Sequence, residues 1–404
     1  MLSDNIRRQF PVFAEPVNKN LAFLDNAAST QKPAAVLEAI DRCYRTSYAN
    51  VHRGIYRLSE AATTAYENAR VITARFLQAR QLEEIIFTRN ATEALNLVAQ
   101  TYSQRLKPGD EVLLSQLEHH ANLVPWQQMG KRYGFTVRFL PLTPDGRLDL
   151  DKLDEYLTTK TKVVALSAMS NVLGTVTELK VIIPRARALG ALVVVDAAQM
   201  ASHRPLDVQT LDCDFLAFSG HKVFGPSGVG VLYGKRARLE DLPPFQYGGS
   251  MINEVQWDDS TWADIPAKFE AGTPAIAEVI GLGAALEFVM SLGWQDYMTY
   301  EDELTRYALP KLLAVTGLHL LGPSTPQNRG PVFAFTIAGV HPHDLSSVLD
   351  DLNIAVRSGH HCAQPLHRLY NISATTRASA TIYNSKEDFD RLIEGIEKAK
   401  RLFS

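Results

Sequence analysis

A lysine and an aspartate in this sequence each follow or end an apolar segment. Lys222 comes three residues after the end of the segment DFLAFS (214–219), in the sequence SGHK, and Asp196 ends the segment ALVVVD (191–196). Burial disfavours the charged form of an amine and lowers its pKa, so a lysine at the end of a buried strand readily forms a Schiff base. A nearby carboxylate can keep a pyridine nitrogen protonated. The pair predicts a site for pyridoxal phosphate (PLP), with Lys222 bonded to the cofactor and Asp196 at its ring nitrogen.

A phosphate group needs its own binding site, and the sequence RNATEALNL (89–97) has the pattern of a helix start. Asn90 can cap the helix, and Glu93 stands three residues later, as in a capping box. The free N–H groups and the positive dipole end of a helix N-terminus attract phosphate. The side chains expected to add phosphate contacts are those of Thr92, Ser219 and His221.

Other polar residues follow apolar segments in the same way. His119 follows EVLLS (111–115), and its imidazole could stack on the pyridine ring and relay protons near neutral pH. We expect Gln199 to bond the phenolic oxygen of the cofactor. Asn171 and Arg377 are expected to bind a substrate carboxylate, since a guanidinium matches a carboxylate with two parallel hydrogen bonds.

A cysteine lies in the polar loop RSGHHCAQP (357–365), after the apolar sequence NIAV. Two histidines and Arg357 beside Cys362 make an electropositive setting, which favours the thiolate. Cys213 comes directly before a predicted core strand and Cys43 lies in a helical sequence, and both are predicted to be structural. Each motif described so far also fits an ordinary role when taken alone, such as a helix cap, a surface salt bridge or a packed thiol. Their combination favours one reaction site.

The apolar segments that precede these residues predict the scaffold. They are rich in β-branched residues and lack polar alternation, so they should be strands buried on both faces, and helical sequences such as 91–106 and 178–190 lie between them. This pattern predicts an α/β fold with a mostly parallel sheet and helices on both faces. Ligands bind beyond the carboxyl ends of such strands. The strands are predicted at 83–88, 111–115, 162–169, 191–196 and 214–219.

The pattern changes near residue 260. A linker (270–275) leads into helical sequences at 278–293, 343–353 and 385–403, with a strand at 332–337. We therefore predict two domains: a large α/β domain over 18–260, and a smaller α+β domain formed by 1–17 and 261–404, which carries the Cys362 loop.

Composition excludes several classes of protein. The chain has 404 residues, 46% hydrophobic and 21% charged, with a formal net charge of -3, which argues against nucleic acid or a membrane as partner. No secretory signal and no run of 18 apolar residues is present. The three cysteines are far apart, without a C-x-x-C pair, so neither a disulfide framework nor a metal site is expected, and a cytoplasmic location fits best.

The chain resembles the cysteine desulfurases of the class V aminotransferase family, within the SUF-system or CsdA-like group, also called selenocysteine lyase-like. The resemblance runs nearly end to end and is carried by motifs that include FLDNAASTQKP (23–33), ANVHRG (49–54), TRNATEALNLVA (88–99), FSGHKVFGPSGVGVLYGK (218–235), FEAGTP (269–274) and RSGHHCAQPL (357–366). It implies the PLP-dependent transferase fold type I and the conversion of L-cysteine to L-alanine, with the sulfur left as a persulfide on Cys362.

The resemblance also implies roles for individual residues. Lys222, Cys362 and His119 are the catalytic residues. The cofactor is held by Asp196, Gln199, His119, Ala91, Thr92, Ser219 and His221, and Thr273 reaches the phosphate of a neighbouring subunit, which implies a homodimer. The substrate side is formed by Arg377, Asn171, Ala28, His52, Arg53 and His361.

Two further expectations follow from the resemblance. Many relatives have two threonines in the phosphate turn, where this chain has Ala91-Thr92, so one hydroxyl contact should be missing. The short cysteine loop resembles that of relatives stimulated by a SufE-like or SufU-like sulfur acceptor. The acceptor's identity, the downstream pathway and the preference between cysteine and selenocysteine stay open. A PLP-dependent aminotransferase and a non-catalytic binding subunit are the alternatives; Cys362 counts against the first, and Lys222 with Asp196 against the second.

Overall fold

The structure is a computed structural model that describes residues 2–403. Within these residues the strands, in chain order, are β1 (Ala22–Phe23), β2 (Ile85–Thr88), β3 (Glu111–Ser115), β4 (Thr136–Leu140), β5 (Thr161–Ser167), β6 (Leu192–Asp196), β7 (Phe215–Ser219), β8 (Gly230–Gly234), β9 (Ile252–Val255), β10 (Ser260–Trp262), β11 (Leu318–Leu320), β12 (Val332–Ile337), β13 (Ile354–Ala355), β14 (Arg357–Gly359) and β15 (Thr375–Ser379).

Helices separate most of these strands. They are α1 (Leu2–Arg7), α2 (Ala34–Arg42), α3 (Arg57–Leu77), α4 (Ala91–Tyr102), α5 (His120–Tyr133), α6 (Leu153–Tyr156), α7 (Leu179–Ala188), α8 (Val208–Leu211), α9 (Arg236–Asp241), α10 (Ile276–Ser291), α11 (Trp294–Leu313), α12 (Pro342–Asp350), α13 (Gln364–Leu369) and α14 (Lys386–Phe403).

The main sheet has seven strands in the order β2-β8-β7-β6-β5-β3-β4. Strands β7, β6, β5, β3 and β4 pair in parallel, and β8 pairs antiparallel with both of its neighbours. Every residue of β6, β7 and β8 is buried, as expected for strands covered on both faces. The prediction of a mostly parallel α/β sheet is confirmed.

Two strands of this sheet were not predicted from the sequence. β4 is an edge strand whose first residue is exposed, and β8 is short and bounded by glycines at both ends, so neither reads as a continuous apolar run. The strand predicted at 162–169 ends at Ser167, because Met169 pairs with Val176 in a separate antiparallel bridge. The helix predicted at 91–106 ends at Tyr102, and a 3-10 turn follows.

The smaller sheet has four strands in the order β11-β12-β15-β14, all antiparallel. β14 leads into the Cys362 loop, and β15 carries Arg377 at its centre. A short parallel pair, β1 with β13, joins the N-terminal part of the chain to this region. Thus residues from both ends of the sequence meet beside the main sheet.

Three clusters of buried apolar side chains stabilise these layers. Two cover the faces of the main sheet, and the third packs the smaller sheet against α11, α12 and α14. The first includes Phe10 and most of α10, whereas Ala22 and Leu24 belong to the third. These segments cross the predicted boundaries at 17 and 260, and the two-domain division stays a prediction.

Among residues 2–403, no single helix is long and apolar enough to cross a membrane; α10 and α11 reach that length and hydropathy only together, and the chain bends by 80° between them.

Candidate active site

A cavity of about 260 Å³ opens at the carboxyl edge of the main sheet. Because β2, β3, β5, β6 and β7 run in the same direction, the residues after each strand converge there. The sequence-predicted residues that line the cavity are Ala28, Ala91, Thr92, His119, Asn171, Asp196, Gln199, Ser219, His221, Lys222, His361, Cys362 and Arg377.

Lys222, which is half-buried, and Asp196, which is buried, line the same cavity and interact electrostatically. Burial lowers the pKa of the Lys222 amine, and the charge of Asp196 partly opposes this. Burial raises the pKa of Asp196, while a hydrogen bond from the Ala198 amide, 2.9 Å from Oδ1, favours its charged form. An amine with a lowered pKa is a nucleophile near neutral pH, which suits Schiff-base formation.

The start of α4 lies at the other end of the cavity. The Asn90 side chain accepts a hydrogen bond from the Glu93 amide at 2.9 Å, as predicted. The Glu93 carboxylate accepts from the Arg89 amide rather than from Asn90, so the capping box is incomplete. The Ala91 amide donates to Ser219 Oγ at 2.9 Å. This bond joins the two loops that are predicted to hold a phosphate.

His119 caps α5 with its ring. Nδ1 accepts a hydrogen bond from the Ala121 amide at 3.0 Å, and the pKa of His119 is lowered to about 3 by burial and by the charge of Lys222. The ring is therefore neutral at physiological pH, and its single hydrogen is on Nε2. The pKa of His221, another cavity residue, is lowered to about 4, mainly by burial.

Arg377 lies on β15 with its guanidinium buried. Nη1 donates to the Asn171 carbonyl at 3.0 Å, Nη2 donates to Asp25 Oδ1 at 3.2 Å, and Nε is buried without a partner. Burial lowers its pKa to about 10, so the group keeps its charge at neutral pH. A buried guanidinium with an unused donor fits an anionic ligand such as a carboxylate.

Cys362 is exposed and lies in a loop fixed at several points. Its carbonyl accepts from the His120 amide at 2.8 Å, and His120 Nε2 accepts from the Gln364 amide at 3.1 Å. Asn171 Nδ2 donates to the His361 carbonyl at 2.7 Å. Both His361 and Cys362 have left-handed backbones, with φ of 50° and 56°. Non-glycine residues adopt this conformation only when their surroundings impose it, so the loop is held in a defined shape.

A chain of hydrogen bonds fixes the His361 ring. His367 Nδ1 donates to the Ala363 carbonyl at 3.0 Å, so its neutral ring accepts the Thr375 hydroxyl at Nε2, 3.1 Å away. Thr375 Oγ1 must then accept from His361 Nε2 at 2.9 Å, and His361 Nδ1 is left without hydrogen or partner. The pKa of His361 is lowered to about 2, mainly by burial, which agrees with a neutral ring.

The other two cysteines differ from Cys362. Cys43 and Cys213 are buried, and none of the three is in a disulfide. Burial raises the pKa of both thiols, that of Cys213 to about 12. Both remain protonated at neutral pH and are out of reach of a ligand in the cavity, as expected for structural cysteines.

Three predicted residues lie outside this cavity in the single chain. His52 and Arg53 lie in a separate groove with Glu67, Arg70 and Glu270, where His52 Nε2 is 2.9 Å from Glu67 Oε1. Thr273 is exposed in another groove that shares Glu270 and Pro274 with the first. The single chain does not bring these residues together with Lys222, but it places all three around the loop that contains Glu270 and Pro274.

Asp25 is a site residue that sequence reasoning missed. Its two oxygens accept from Arg377 Nη2 and from Arg357 Nε, at 3.2 and 3.1 Å, so one carboxylate holds both arginines of the cavity. The signal was present: Asp25 follows β1 in the polar sequence LDNAAS. Its importance was not visible because β1 pairs with β13, from the other end of the chain.

The cavity fits PLP in its donors, acceptors and charges. Two of its buried polar atoms, Gln199 Oε1 and Arg377 Nε, have no partner among residues 2–403, and such atoms are costly unless a ligand pairs with them. Among residues 2–403, the buried carboxylate of Asp196 makes no ion pair, and Lys222 is the cation that affects its pKa. A cationic pyridine ring would pair with Asp196, and an anionic substrate would accept from Arg377 Nε. Elsewhere among the described residues, no cluster of three or more His, Cys, Asp and Glu side chains is arranged to hold a metal ion.

The chain matches known proteins over nearly its whole length. Residues 22–392 match the family model for class V aminotransferases. A probable cysteine desulfurase of Halalkalibacterium halodurans is 48% identical, with 100% of this chain and 99% of the relative covered, and one of Streptomyces coelicolor is 47% identical, with 99% and 98% covered.

Solved structures give the same result. The cysteine desulfurase CsdA from Escherichia coli superposes with a TM-score of 0.92 at 40% identity, and each chain is covered completely. A C-DES mutant with glycine covalently linked to its PLP cofactor gives a TM-score of 0.82 at 25% identity, over 96% of this chain and 98% of the other. The fold type I prediction is thereby confirmed, and PLP is the cofactor of this fold and site. The chain belongs to the class V aminotransferase family, among the relatives that are cysteine desulfurases.

Proposed function

We propose that this protein is a PLP-dependent cysteine desulfurase that converts L-cysteine to L-alanine and keeps the sulfur as a persulfide on Cys362. The observation that carries the proposal is that an exposed thiol, Cys362, lines the same cavity as Lys222 and Asp196. An aminotransferase needs the lysine and the aspartate but has no use for the thiol.

When bound, PLP supplies an electron sink that stabilises negative charge on the substrate carbon. The protein supplies the groups that hold it: Lys222 by a covalent bond and Asp196 at the pyridine nitrogen. His119 stacks on the ring and Gln199 bonds the phenolic oxygen. The phosphate is assigned to the first turn of α4, at Ala91 and Thr92, with Ser219 and His221. Ala91 brings only its backbone amide, which already donates to Ser219 Oγ.

The substrate carboxylate is assigned to Arg377. Its Nε donor is free, and Asp25 and the Asn171 carbonyl fix the plane of the guanidinium. Asn171, Ala28 and His361 complete this side of the cavity. Held there by its carboxylate, the amino acid can present its sulfur to the Cys362 thiol across the cavity.

The sulfur transfer requires few groups beyond the cofactor. Lys222, freed from the cofactor, removes the α-proton of the substrate. The Cys362 thiolate attacks the substrate sulfur, an S–S bond forms and the Cβ–S bond breaks, and the carbon keeps the electron pair and takes up a proton before it leaves as L-alanine. His119 is assigned the transfer of the thiol proton. In the resting state its neutral ring carries a hydrogen on Nε2, so it can donate a hydrogen bond from that atom.

A homodimer is part of the proposal. Thr273 is exposed in the single chain, in a groove around the same loop as His52 and Arg53. If Thr273 reaches the phosphate of a neighbouring subunit, His52 and Arg53 come to the entrance of that subunit's cavity. A twofold dimer lets each site receive these residues from its partner.

The persulfide must pass to another molecule. Because the Cys362 loop is held by His120 and Asn171, we propose that an acceptor of the SufE-like or SufU-like type comes to the cavity and presents its own thiol. Such transfer serves iron-sulfur cluster assembly or another thiolation route, and selenocysteine is a second substrate. A reducing cytosol fits three cysteines that are all unpaired.

The experiment is to incubate the purified protein with L-cysteine and assay alanine and sulfide, with and without a thiol reductant. We expect alanine in both cases and sulfide only with the reductant, since the sulfur otherwise stays on the protein. Alanine that appears only when a keto acid is consumed would identify an aminotransferase instead. Light scattering at the assay concentration tests the dimer; full activity of a monomer would contradict it.

A further inference from the structure

A buried histidine and a buried glutamate are hydrogen-bonded to each other next to Gln199, a residue of the cofactor cavity. His203 and Glu301 are 2% and 0% exposed, and both carboxylate oxygens of Glu301 lie close to His203 Nδ1, at 2.9 and 3.0 Å. Neither residue lines the cavity. His203 follows Gln199 by one helical turn, and Glu301 comes from α11, over ninety residues later in the chain.

The other nitrogen of His203 faces a cavity residue. Gln199 Nε2 is 3.4 Å from His203 Nε2, which is long for a hydrogen bond, and Gln199 Oε1 is buried without a partner. The Gln199 carboxamide can make one hydrogen bond with His203 and one with a ligand in the cavity, because one of its ends faces His203 and the other faces the cavity. Which end faces which side depends on whether His203 Nε2 carries a hydrogen.

The charge on Glu301 decides this question. A carboxylate only accepts hydrogen bonds, so His203 Nδ1 carries a hydrogen. A carboxylate without solvent contact needs a cation beside it. Arg204 is 3.4 Å from Glu301 but makes its shorter ion pair, 2.7 Å, with Asp302. Tyr297, also near Glu301, is a neutral phenol because burial raises its pKa. Two groups can therefore neutralise Glu301: Arg204, at 3.4 Å, and the nearer His203 ring when both of its nitrogens carry a hydrogen.

Doubly protonated His203 donates from Nε2, and then the carbonyl end of Gln199 must face it. Rotation of the Gln199 carboxamide by a half-turn about its last side-chain torsion angle exchanges the positions of its oxygen and its NH2 group. Oε1 then accepts a hydrogen bond from His203 Nε2, and the NH2 group points into the cavity. The phenolic oxygen of PLP is negatively charged when bound through a Schiff base, and it needs a donor rather than an acceptor.

We propose that His203, protonated beside Glu301, is a positioning residue that turns the Gln199 carboxamide so that its NH2 group donates to the phenolic oxygen of PLP. This inference rests on the proposed contact between Gln199 and the cofactor. Loss of that donor leaves more negative charge on the phenolic oxygen. The proton on the Lys222–cofactor linkage then binds more tightly, so the pH at which its visible absorption band disappears should rise.

The experiment titrates the visible band of the PLP-loaded protein with pH, with no substrate present. His203→Leu and Glu301→Gln should both raise the apparent pKa of the band, by about 0.5 to 1 pH unit, the size expected for one hydrogen bond. Gln199→Ala should give a similar rise. His203→Gln places an amide near the position of Nε2 that can still donate to Gln199, and should restore a value near that of the unchanged protein.

A matched control is Asp302→Asn, on the same helix as Glu301 but paired with Arg204 instead of His203. It should leave the band's pKa unchanged. If His203→Leu fails to fold, Glu301→Gln, which keeps nearly the same shape, still gives the answer. Melting temperatures separate a loss of stability from the spectral change, which a merely structural role would not produce.

The outcomes separate this inference from the proposed function. If Gln199→Ala raises the pKa but His203→Leu and Glu301→Gln do not, the pair does not position Gln199 and the inference fails. If Gln199→Ala also has no effect, the inference fails together with the cofactor contact of Gln199. In both cases borohydride labelling of Lys222 and alanine production from cysteine would still support the desulfurase function.

Discussion

The backbone amide of His120 donates a hydrogen bond to the carbonyl oxygen of Cys362 at 2.8 Å. This bond joins the first residue of α5 to the cysteine loop. His119, the cap residue of the same helix, lines the cavity together with Cys362. The hydrogen bond therefore fixes the position of the cysteine loop relative to the His119 ring. A thiol in a fixed loop suits a short transfer from a substrate in the cavity and does not suit a long swing to a distant acceptor.

We therefore predict that Cys362 alone carries the persulfide. Mass spectrometry after treatment with L-cysteine should show one added sulfur on the peptide that contains Cys362. Cys362→Ser should abolish this mass and the formation of alanine while PLP stays bound. Small reductants should release sulfide from this persulfide, because Cys362 is exposed and thiol exchange depends on access to the sulfur.

Cys43→Ser is the matched control, because Cys43 is buried and its pKa is raised by burial. It should keep the added sulfur on Cys362 and the normal rate. An added sulfur on Cys43 or Cys213, or normal alanine production by Cys362→Ser, would refute the assignment.

A second prediction concerns Lys222. Burial lowers the pKa of its amine, so it should react with PLP near neutral pH. Reduction with borohydride followed by peptide mapping should label Lys222. Lys222→Ala should bind PLP without a covalent bond and lose about 10²- to 10⁴-fold in turnover, the usual contribution of a proton-transfer residue.

Lys32 provides the internal check on that assignment. Burial lowers its pKa to about 8, but its amine bonds the His221 carbonyl at 3.2 Å and does not line the cavity. Borohydride labelling of Lys32 in place of Lys222 would show that reactivity follows the lowered pKa rather than the position at the end of β7.

Much of the scaffold could be predicted because the strands that carry it are apolar runs with polar residues at one end. β3 and β12 were predicted at their observed bounds, and β6 and β7 to within one residue. The contacts that depend on chain folding were not predictable. Asp25 holds Arg357 and Arg377, from the other end of the chain, and Glu301 reaches His203 from α11. No local pattern marks either pair, since each forms only when distant elements pack.

The candidate site was predicted in the same uneven way. Residues a few positions after strands, such as Lys222 and His119, were found because the ends of parallel strands meet at one edge of the sheet. The ring orientation of His361 depends on Thr375 and His367, and no spacing rule joins these three residues. His52, Arg53 and Thr273 lie outside the cavity of the single chain, so their predicted role needs a second subunit.

A third prediction tests Arg377 as the carboxylate site. Arg377→Ala should weaken the binding of L-cysteine by on the order of 2–5 kcal/mol, since a buried charged partner would be lost. Arg377→Lys should recover only part of this, because an ammonium cannot make the paired hydrogen bonds of a guanidinium. The Michaelis constants of the variants, with PLP occupancy checked by absorbance, give the measurement.

The control for Arg377 is Arg368→Ala. Arg368 is exposed on α13 and does not line the cavity, although it lies close to the cysteine loop in sequence. Its replacement should leave the Michaelis constant unchanged. An unchanged Michaelis constant in Arg377→Ala as well would remove Arg377 from the substrate site.

The last prediction concerns Glu118, a buried carboxyl between β3 and β5. It accepts hydrogen bonds from Ser115 Oγ at 2.5 Å, from the amide and hydroxyl of Ser167, and from Asn122 Nδ2 at 2.7 Å. Burial raises its pKa from 4.5 to about 7, although these bonds oppose the rise. Between these two pH values the folded protein holds a proton that the unfolded chain has lost.

The sign of the pH effect follows from this difference. Since the folded state binds more protons in this window, the free energy of unfolding should fall as pH rises from 4.5 to 7 and level off above it. The contribution of Glu118 is on the order of 3 kcal/mol, because each pKa unit corresponds to about 1.4 kcal/mol. Glu118→Gln should remove it: the variant should gain stability relative to the unchanged protein as pH rises, since its amide can donate to Ser115 and cannot ionise.

Denaturant unfolding of both proteins at pH 5, 6, 7 and 8 measures the effect as the difference between them, so that other titrating groups cancel. Glu394 is an exposed carboxyl on α14 and serves as the control. The free energy of unfolding of Glu394→Gln should change with pH in the same way as that of the unchanged protein. If the free energy of unfolding of Glu118→Gln also changes with pH in the same way as that of the unchanged protein, Glu118 is already ionised in the folded state at pH 5. In that case the four donors around it, rather than burial, set its charge, and a fixed negative charge would lie next to His119 throughout the working range of the enzyme.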